Sequence, residues 1–308
     1  MNNQKVIVKE PASSRTSPDR EAPPKTREYK TSIIPSWVRK RIIWIPLAFA
    51  IVWSAVPIAW ALLASFKPAS EINQTQSTIL PQDPTFASYI SVLSDGSFWM
   101  FTGNSLIVSV TSTVLAVAVS SVAAYGFARY AFKWRHTLLL FILIPRLVPR
   151  VSLIVPLYEM LTATGLLNTY AALIIIYAGT AIPLATWIMM GFVQAVPREI
   201  DEAGKIDGAS TWQTFTKLVL PLTIPGLLTI TVLSFREAWN EFPFVLALTT
   251  GPELRTLPYG LYMALDSTGI QDWSYIQAFT MLSIIPIILL YIRFEKHVVA
   301  GLSQGAVK

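Results

Sequence analysis

Cysteine is absent from this chain of 308 residues, and histidine occurs only twice. Without cysteine, neither a disulfide framework nor a thiolate metal site can form. His136 and His297 each stand next to a basic residue and far apart in the sequence, unlike the clustered histidines of a metal centre. The sequence therefore argues against a metal site in this chain, and it excludes the disulfide-rich secreted domains.

A Gly-rich phosphate loop of the GxxxxGK[ST] kind is also missing, so the chain itself is not expected to bind ATP. Charged residues are scarce at 14%, whereas 53% of the residues are hydrophobic. That balance is too apolar for a soluble domain of this length. It predicts an all-α membrane protein, because every backbone polar group in the bilayer must be bonded within the spanning structure.

Residues 1–36 differ from the rest of the chain, being rich in Pro, Ser and charge without apolar periodicity. Such a composition cannot bury a core, so it predicts a disordered tail rather than a cleaved secretory signal. The tail's basic residues either touch anionic lipid or simply stay solvated and help to fix orientation. We therefore divide the chain into a tail, 1–36, and a transmembrane domain, 37–308.

The transmembrane domain is expected to contain six helices. Each apolar stretch is at least as long as the ~20 residues needed to cross a hydrocarbon core about 30 Å thick. Prolines interrupt several of them, so kinked helices are expected. The predicted spans are approximately 42–65, 104–128, 138–161, 170–194, 221–248 and 275–294.

The 24 Lys and Arg residues are distributed unevenly over the segments between the spans. Most of them fall in the N-terminal tail, in two alternate loops and at the C-terminal end. Lys67 and Arg255 alone occupy the intervening loops. By the positive-inside rule, both termini and the segment 197–218 are cytoplasmic. This topology also accounts for the net charge of +6 without a nucleic-acid partner.

The polar segment 197–218 has the pattern of two short helices joined by a turn. Ile200, Ala203 and Ile206 recur at i, i+3 and i+6, which is typical of an amphipathic helix. Asp207-Gly208 predicts its end, because glycine readily takes a positive φ. A second helix follows, opened by a capping box of Ser210 and Gln213. An apolar face held at a membrane surface suits the groove of a partner protein, or, less favourably, the lipid surface.

This segment resembles the EAA signature of ABC-importer permeases: Glu-Ala-Ala, three residues, Gly, nine residues, then Ile-x-Leu-Pro. Glycine replaces the second alanine at Gly204, which keeps room for close packing, and Leu218 replaces the isoleucine. The resemblance implies that 197–218 is a coupling loop docking on a cytoplasmic ATPase. The residues assigned to this coupling are Glu199, Glu202, Ala203, Gly204, Asp207, Gly208, Ala209, Trp212 and Phe215.

Further segments resemble carbohydrate importers of the maltose-permease type. They are Ile154 to Tyr158 with Gly165 to Tyr170, then Trp239 to Phe242, and the ending Gly301 to Lys308, which lacks the family's closing glycine. The resemblance implies a type I ABC importer permease fold in a bacterial or archaeal cytoplasmic membrane. It also implies the partners: a second six-helix permease, two copies of an ATPase that holds ATP and Mg, and an extracytoplasmic sugar-binding protein.

Several charges interrupt the predicted third and fifth spans. Arg146 and Arg150 are four residues apart and would share one face of a continuous third helix. A charge at mid-bilayer costs about 2.5–3.5 kcal/mol, so these side chains should face a cavity rather than lipid. We predict an ion pair between Arg150 and Glu237. The candidate substrate-pathway residues are Arg146, Arg150, Arg236, Glu237, Trp239, Asn240 and Glu241.

Three functions are compatible with these features. A sugar permease is favoured, since Trp, Asn and Glu side chains suit carbohydrate. A type I permease for an anionic solute, such as a sugar phosphate or glycerol phosphate, would use the extra arginines. A polytopic membrane enzyme would need convergent catalytic groups. The acids of the coupling loop have no histidine or metal partner, so no enzyme activity is expected of this chain.

Overall fold

A computed structural model describes residues 36–72, 78–266 and 272–304. The predicted tail, 1–36, lies outside these residues except for Ser36, at which the first helix begins, and so does the end of the chain, 305–308. The chain divides into two units, 1–54 and 55–308. All contacts described below lie within the second unit.

Helices make up the regular secondary structure of the described residues. In chain order the α-helices are α1 (Ser36–Ser65), α2 (Ala69–Ile72), α3 (Ala87–Ser94), α4 (Gly96–Arg129), α5 (Arg135–Leu143), α6 (Ile154–Ala163), α7 (Tyr170–Ala195), α8 (Glu199–Ile206), α9 (Thr211–Gln213), α10 (Leu220–Leu222), α11 (Ile224–Trp239), α12 (Pro243–Leu248), α13 (Leu257–Asp266) and α14 (Trp273–Gln304). Short 3₁₀ segments occur at Ile144–Leu147, Arg150–Leu153 and Pro252–Leu254, and a π-helical segment at Thr214–Val219.

The number of membrane spans agrees with the prediction when bent helices are counted as single spans. Four of the described helices are long and apolar enough to cross a membrane by themselves, namely the end of α1, α4, α7 and the start of α14. Two broken pairs satisfy the same test jointly, Arg135–Leu147 with Arg150–Ala163 and Thr211–Leu222 with Ile224–Trp239. The predicted all-α membrane fold is thus confirmed, with two of its six spans bent.

The third span is the first departure from the prediction, because 138–161 is not one helix. Its halves meet at 98°. Pro149 lacks an N–H and disfavours the α conformation at Val148, whose ψ is 129°. The expectation that Arg146 and Arg150 share a face of one helix is therefore wrong, since the helix breaks between them.

The fifth span is interrupted as well. A bend of 80° at Thr223 precedes α11, and α11 ends at Trp239. Helix α12 begins only at Pro243, which cannot donate to a preceding carbonyl. The prediction of one helix over 221–248 is therefore wrong. Residues 240–242 separate α11 from α12, and the bend at Thr223 precedes α11.

The core of the second unit is the packing of α4 against α7, the most extensive helix contact in the described residues. Ala116 and Ser120 are small buried residues on the α4 side of this contact, and Ser120 donates to the Ile182 carbonyl of α7 at 3.3 Å. Ala178 and Ala181 of α7 lie opposite. Small residues let two helix backbones approach closely, which favours association where lipid supplies no hydrophobic drive.

Helix α11 packs against α4, α7 and α14 and thereby connects the spans. Trp239 at its end is 3% exposed, stacks on Phe235 and donates its indole N–H to the carbonyl of Ser283 on α14 at 3.2 Å. Phe98 and Phe279 meet edge to face in the same cluster. These contacts fix the C-terminal end of α11, which carries Arg236 and Glu237.

Candidate coupling surface and membrane cavity

The predicted helix–turn–helix of the coupling loop is present. Helix α8 ends at Ile206, and Gly208 turns the chain with φ +78°, the left-handed region that favours glycine. The capping box is complete: the Ser210 N–H donates to Gln213 Oε1 at 2.8 Å, and the Gln213 N–H donates to Ser210 Oγ at 3.3 Å. The predicted turn and cap are confirmed.

Gly204 has a packing role that agrees with the prediction of close contact. It is buried on α8, facing the segment that follows the turn. A Cβ at this position would lie 2.8 Å from Leu218 Cδ1 and 3.0 Å from Thr214 Oγ1. Glycine therefore lets the two short helices pack together, at some cost in helix propensity.

Asp201 fastens α8 to the end of α4. Its Oδ2 lies 3.0 Å from Arg129 Nε, as an ion pair without hydrogen-bond geometry. Its Oδ1 accepts a hydrogen bond of 2.8 Å from the Tyr125 hydroxyl. Arg129 also donates to the carbonyl of Val196 at 2.9 Å. Because Asp201 is only 8% exposed, the loop is tied to a spanning helix through a buried polar cluster.

The outer face of the coupling loop is strongly exposed. Ile206 is 86% and Trp212 61% exposed, although both are large and apolar. Glu199, Glu202 and Ala203 of α8 are exposed beside them. We call these five residues the coupling surface. Of the remaining predicted coupling residues, Asp207 and Gly208 are exposed and Ala209 is half-buried.

Phe215 differs from the expectation of an anchor for a partner. It is 4% exposed and packs in the core with Tyr125, the ring centroids lying 4.9 Å apart. Trp212 packs on its other side, at 5.5 Å between ring centroids. The π-helical segment Thr214–Val219 places it there, so Phe215 supports the loop from within.

A cavity of about 420 Å³ lies where the third span is broken. Arg146 and Arg150 line it together with Thr180 and Pro183 of α7. Most of the remaining lining is apolar, from Val148, Leu153, Leu157, Ile175, Ile176 and Phe244 among others. The break in the third span therefore brings two arginines to one side of a largely apolar cavity.

Both arginines reach Glu237 of α11. Arg146 Nη1 lies 3.1 Å from Glu237 Oε1 and also donates to the carbonyl of Thr180 at 3.0 Å. Arg150 forms an ion pair with the same Glu237 oxygen. The predicted Arg150–Glu237 pair is thus present, and Arg146 joins it. The Glu237 side chain is 14% exposed, whereas those of Arg146 and Arg150 are 31% and 38% exposed.

The other predicted pathway residues do not line this cavity. Trp239 belongs to the contact with α14, and Glu241 is 3% exposed. The Glu241 carboxylate accepts from the Tyr177 hydroxyl at 2.7 Å and from the Phe244 N–H at 3.0 Å, so it fastens the start of α12. Arg236 and Asn240 are exposed. Only Arg146, Arg150 and Glu237 of the predicted set come together.

A polar cluster links α2 to residues 78–82, which precede α3. Glu71 accepts from Thr78 Oγ1 at 2.7 Å and from the Gln82 N–H at 3.1 Å, and lies 3.7 Å from Lys67 Nζ. The Thr78 hydrogen bond is the main reason that the pKa of Glu71 is lowered. Burial opposes the shift, and Gln82 and Lys67 add to it. Lys67 and Glu71 are both buried.

Asp95 caps the start of α4 in a similar way. Burial works against its ionisation, but hydrogen bonds from the Ser97 hydroxyl and N–H and from the Tyr275 hydroxyl leave its pKa lowered. These bonds measure 2.7, 2.9 and 3.1 Å. Asp95 thus joins the N-terminal ends of α4 and α14.

Sequence reasoning missed Asp201, Arg129 and Tyr125 as members of the coupling site. Asp201 is one of three acids in the first turn of α8, a position where acids generally favour the helix dipole, so its sequence position does not indicate a partner. Its partner Tyr125 lies 76 residues away in sequence. The available signal is a basic residue, Arg129, at the end of a predicted span and an acid, Asp201, in the polar segment 197–218.

Comparison with known proteins identifies a family and several relatives. Residues 32–304 match the family described as binding-protein-dependent transport system inner membrane component. The sulfoquinovosyl glycerol transport system permease protein of Agrobacterium fabrum is 34% identical over 269 residues, which cover 87% of this chain and 94% of that protein. The trehalose/maltose transport system permease protein of Thermococcus litoralis is 35% identical over 254 residues, or 82% and 91% of the two chains.

The fold also resembles a solved structure. The crystal structure of a bacterial ABC transporter involved in the import of the acidic polysaccharide alginate contains a chain that matches with a TM-score of 0.74. The match covers 86% of this chain and 99% of that one, at 21% sequence identity. A likeness at this level of identity shows the shared fold alone.

Proposed function

We propose that this chain forms one half of the translocation pathway of an ABC importer for a di- or oligosaccharide or a glycoside. The chain belongs to the family of binding-protein-dependent transport system inner membrane components, and it is thus a multi-pass protein of the inner membrane. The transport systems to which relatives at 31–35% identity belong support a carbohydrate over a phosphate ester. They include the two transport systems above and the diacetylchitobiose uptake system of Streptomyces coelicolor.

The observation that carries the proposal is the coupling surface. Ile206 and Trp212 are apolar, exposed and surrounded by acids, which suits a protein groove better than water. The loop beneath them is fixed to α4 through Asp201. A force applied to the coupling surface would therefore be transmitted to a spanning helix rather than absorbed by a flexible loop.

The proposal includes the partners. The coupling surface and both termini would face the cytoplasm, where two copies of an ATPase bind ATP with Mg and hydrolyse it. A second six-helix permease completes the pathway, and an extracytoplasmic binding protein delivers the sugar to the opposite side. This chain moves between inward- and outward-facing states, and each ligand must favour one of them for transport to be directional.

Reconstitution tests the proposal. The chain alone in vesicles should neither accumulate solute nor hydrolyse ATP. Together with the second permease, the ATPase and the binding protein, a carbohydrate should stimulate hydrolysis and accumulate inside. Accumulation by the isolated chain, or a complete assembly that responds to no carbohydrate but to a solute of another class, would contradict the proposal.

A further inference from the structure

The cavity at the break in the third span has an excess of positive charge. Two guanidinium groups, of Arg146 and Arg150, share the single carboxylate of Glu237. Arginine stays protonated in proteins, so the three side chains carry one net positive charge when Glu237 is ionised. This charge borders a cavity lined mostly by apolar side chains such as Leu157 and Ile176, which offer it no hydrogen-bond acceptor.

The positions of the charges relative to the cavity are unequal. Arg146 and Arg150 line the cavity, whereas Glu237 is not among its lining residues. The Glu237 side chain is 14% exposed, and the arginines are 31% and 38% exposed. The Glu237 carboxylate therefore contacts the two guanidinium groups on the side away from the cavity. The side of each guanidinium group that is not bound to Glu237 faces the cavity.

The chemistry of these edges is that of hydrogen-bond donors. In the described part of the chain, Arg146 donates hydrogen bonds through Nη1 and Arg150 through Nη2. The N–H groups on their other guanidinium nitrogens therefore remain available to a ligand. A sugar hydroxyl both donates and accepts hydrogen bonds, but a guanidinium group can only donate them. Its planar fork matches the two oxygens of a carboxylate or the oxygens of a sulfonate.

We infer that this cavity takes a carbohydrate bearing an acidic group, carboxylate or sulfonate, which Arg146 and Arg150 bind while Glu237 positions them. The inference rests on the proposed function and narrows its substrate class. A volume of about 420 Å³ is within the usual range for small-ligand pockets. The acidic group would neutralise the remaining charge, which a neutral sugar leaves uncompensated.

Titration calorimetry on the assembled permease–ATPase complex, without binding protein, tests the charge requirement. The probes are trigalacturonate and its methyl ester, which has the same rings without the negative charges. The acid should bind at least about tenfold more tightly, a difference of about 1.4 kcal/mol. Raising the salt concentration to about 0.5 M should reduce this preference by screening.

Variants separate the cavity from general charge effects. Arg146→Gln should bring the affinities for the acid and its ester close together, and Arg146→Lys should keep part of the difference. Lys133→Gln removes one positive charge at an exposed site outside the cavity, so it should keep the full preference. If the complex with Arg146→Gln does not assemble, the affinities measured with Arg146→Lys and the salt dependence of the unaltered complex test the inference instead. Equal affinity for acid and ester in the unaltered complex, or an unchanged preference in Arg146→Gln, would overturn the inference.

The complete transporter distinguishes this failure from failure of the proposed function. Trigalacturonate and the neutral maltotriose are each supplied with the binding protein, and ATP hydrolysis is measured. Stimulation by maltotriose together with equal affinity for acid and ester would remove the acidic substrate but keep a sugar importer. Stimulation by the acid alone, lost in Arg146→Gln and kept in Lys133→Gln, would support the inference.

Discussion

The carboxylate of Asp201 lies 3.0 Å from the guanidinium of Arg129, and this ion pair joins the coupling loop to α4. Removing one partner of a buried pair typically costs about 3–5 kcal/mol, because the other charge stays desolvated. Asp201→Asn should therefore lower the thermal unfolding temperature and reduce sugar-stimulated ATP hydrolysis. Glu199→Gln, which alters an exposed acid on the same helix, should leave the unfolding temperature unchanged.

Tyr125 allows a finer test of the same cluster. Tyr125→Phe removes only the hydrogen bond to the Asp201 carboxylate, and such a bond to a charged group is typically worth about 1.5–3 kcal/mol, so its effect should be smaller than that of Asp201→Asn. Adding Arg129→Gln to Asp201→Asn should recover part of the lost stability, since no unpaired charge remains. Strictly additive losses in the double variant would show that the two charges do not interact.

The turn at residue 208 needs a positive φ, which a β-branched side chain adopts only with strain of about 1–3 kcal/mol. Gly208→Val should therefore reduce co-purification of the ATPase while the spans still insert. Asparagine tolerates this conformation better, so Gly208→Asn should retain most of the binding. Equal retention of the ATPase by both variants would show that the turn is not required.

Trp212 and Phe215 are three residues apart, yet they should respond differently to truncation. Trp212 is 61% exposed, so Trp212→Ala should weaken ATPase binding with little change in unfolding temperature. Phe215 is 4% exposed, and Phe215→Ala should destabilise the domain by about 3–5 kcal/mol. Co-purification and thermal unfolding measured on both variants distinguish a contact surface from a core.

Glu237→Gln should impair folding or gating, because it leaves Arg146 and Arg150 without a counter-charge. The loss should approach about 3–5 kcal/mol where the site is dry and be smaller where water enters. Adding Arg150→Gln should restore part of the assembled complex, as measured by gel filtration and transport. Failure of the second substitution to restore anything would contradict the pairing of these residues.

Glu71 predicts a pH dependence of stability. Its pKa is lowered from 4.5, so its ionised form stabilises the fold at pH values above 4.5. That contribution is lost as the pH falls through the lower pKa of the folded state. Glu71→Gln should thus lower the unfolding temperature at pH 7, and the difference should narrow below pH 4.5. Glu253→Gln, at an exposed acid, serves as the control.

The secondary structure of the segment 197–218 could be predicted from sequence, because local rules determine it. A glycine at the turn, a capping box and an i, i+3 apolar pattern specify the two short helices without distant contacts. The direction of each side chain was harder to predict. Phe215 is one of the predicted coupling residues but is buried, because the π-helical segment directs it towards Tyr125.

The membrane cavity was predicted in part. The cost of charges in the bilayer leads to the predicted Arg150–Glu237 pair, but that prediction takes the third span as a continuous helix. Pro145 and Pro149 signalled a kink without fixing its size, and the observed bend of 98° depends on tertiary packing. Glu241 shows the other limit: its burial against Tyr177 on α7 is a long-range contact that no local pattern specifies.

The shared carboxylate of Glu237 also constrains how the protein is made. Arg146 and Arg150 precede Glu237 by 91 and 87 residues, so both leave the ribosome well before it. At about 5–20 residues per second, the delay is on the order of 4–18 s. During that interval the nascent third span carries two arginines without their carboxylate. Arg146 and Arg150 of the bent third span can therefore form their ion pairs only after α11 of the fifth span has been synthesised.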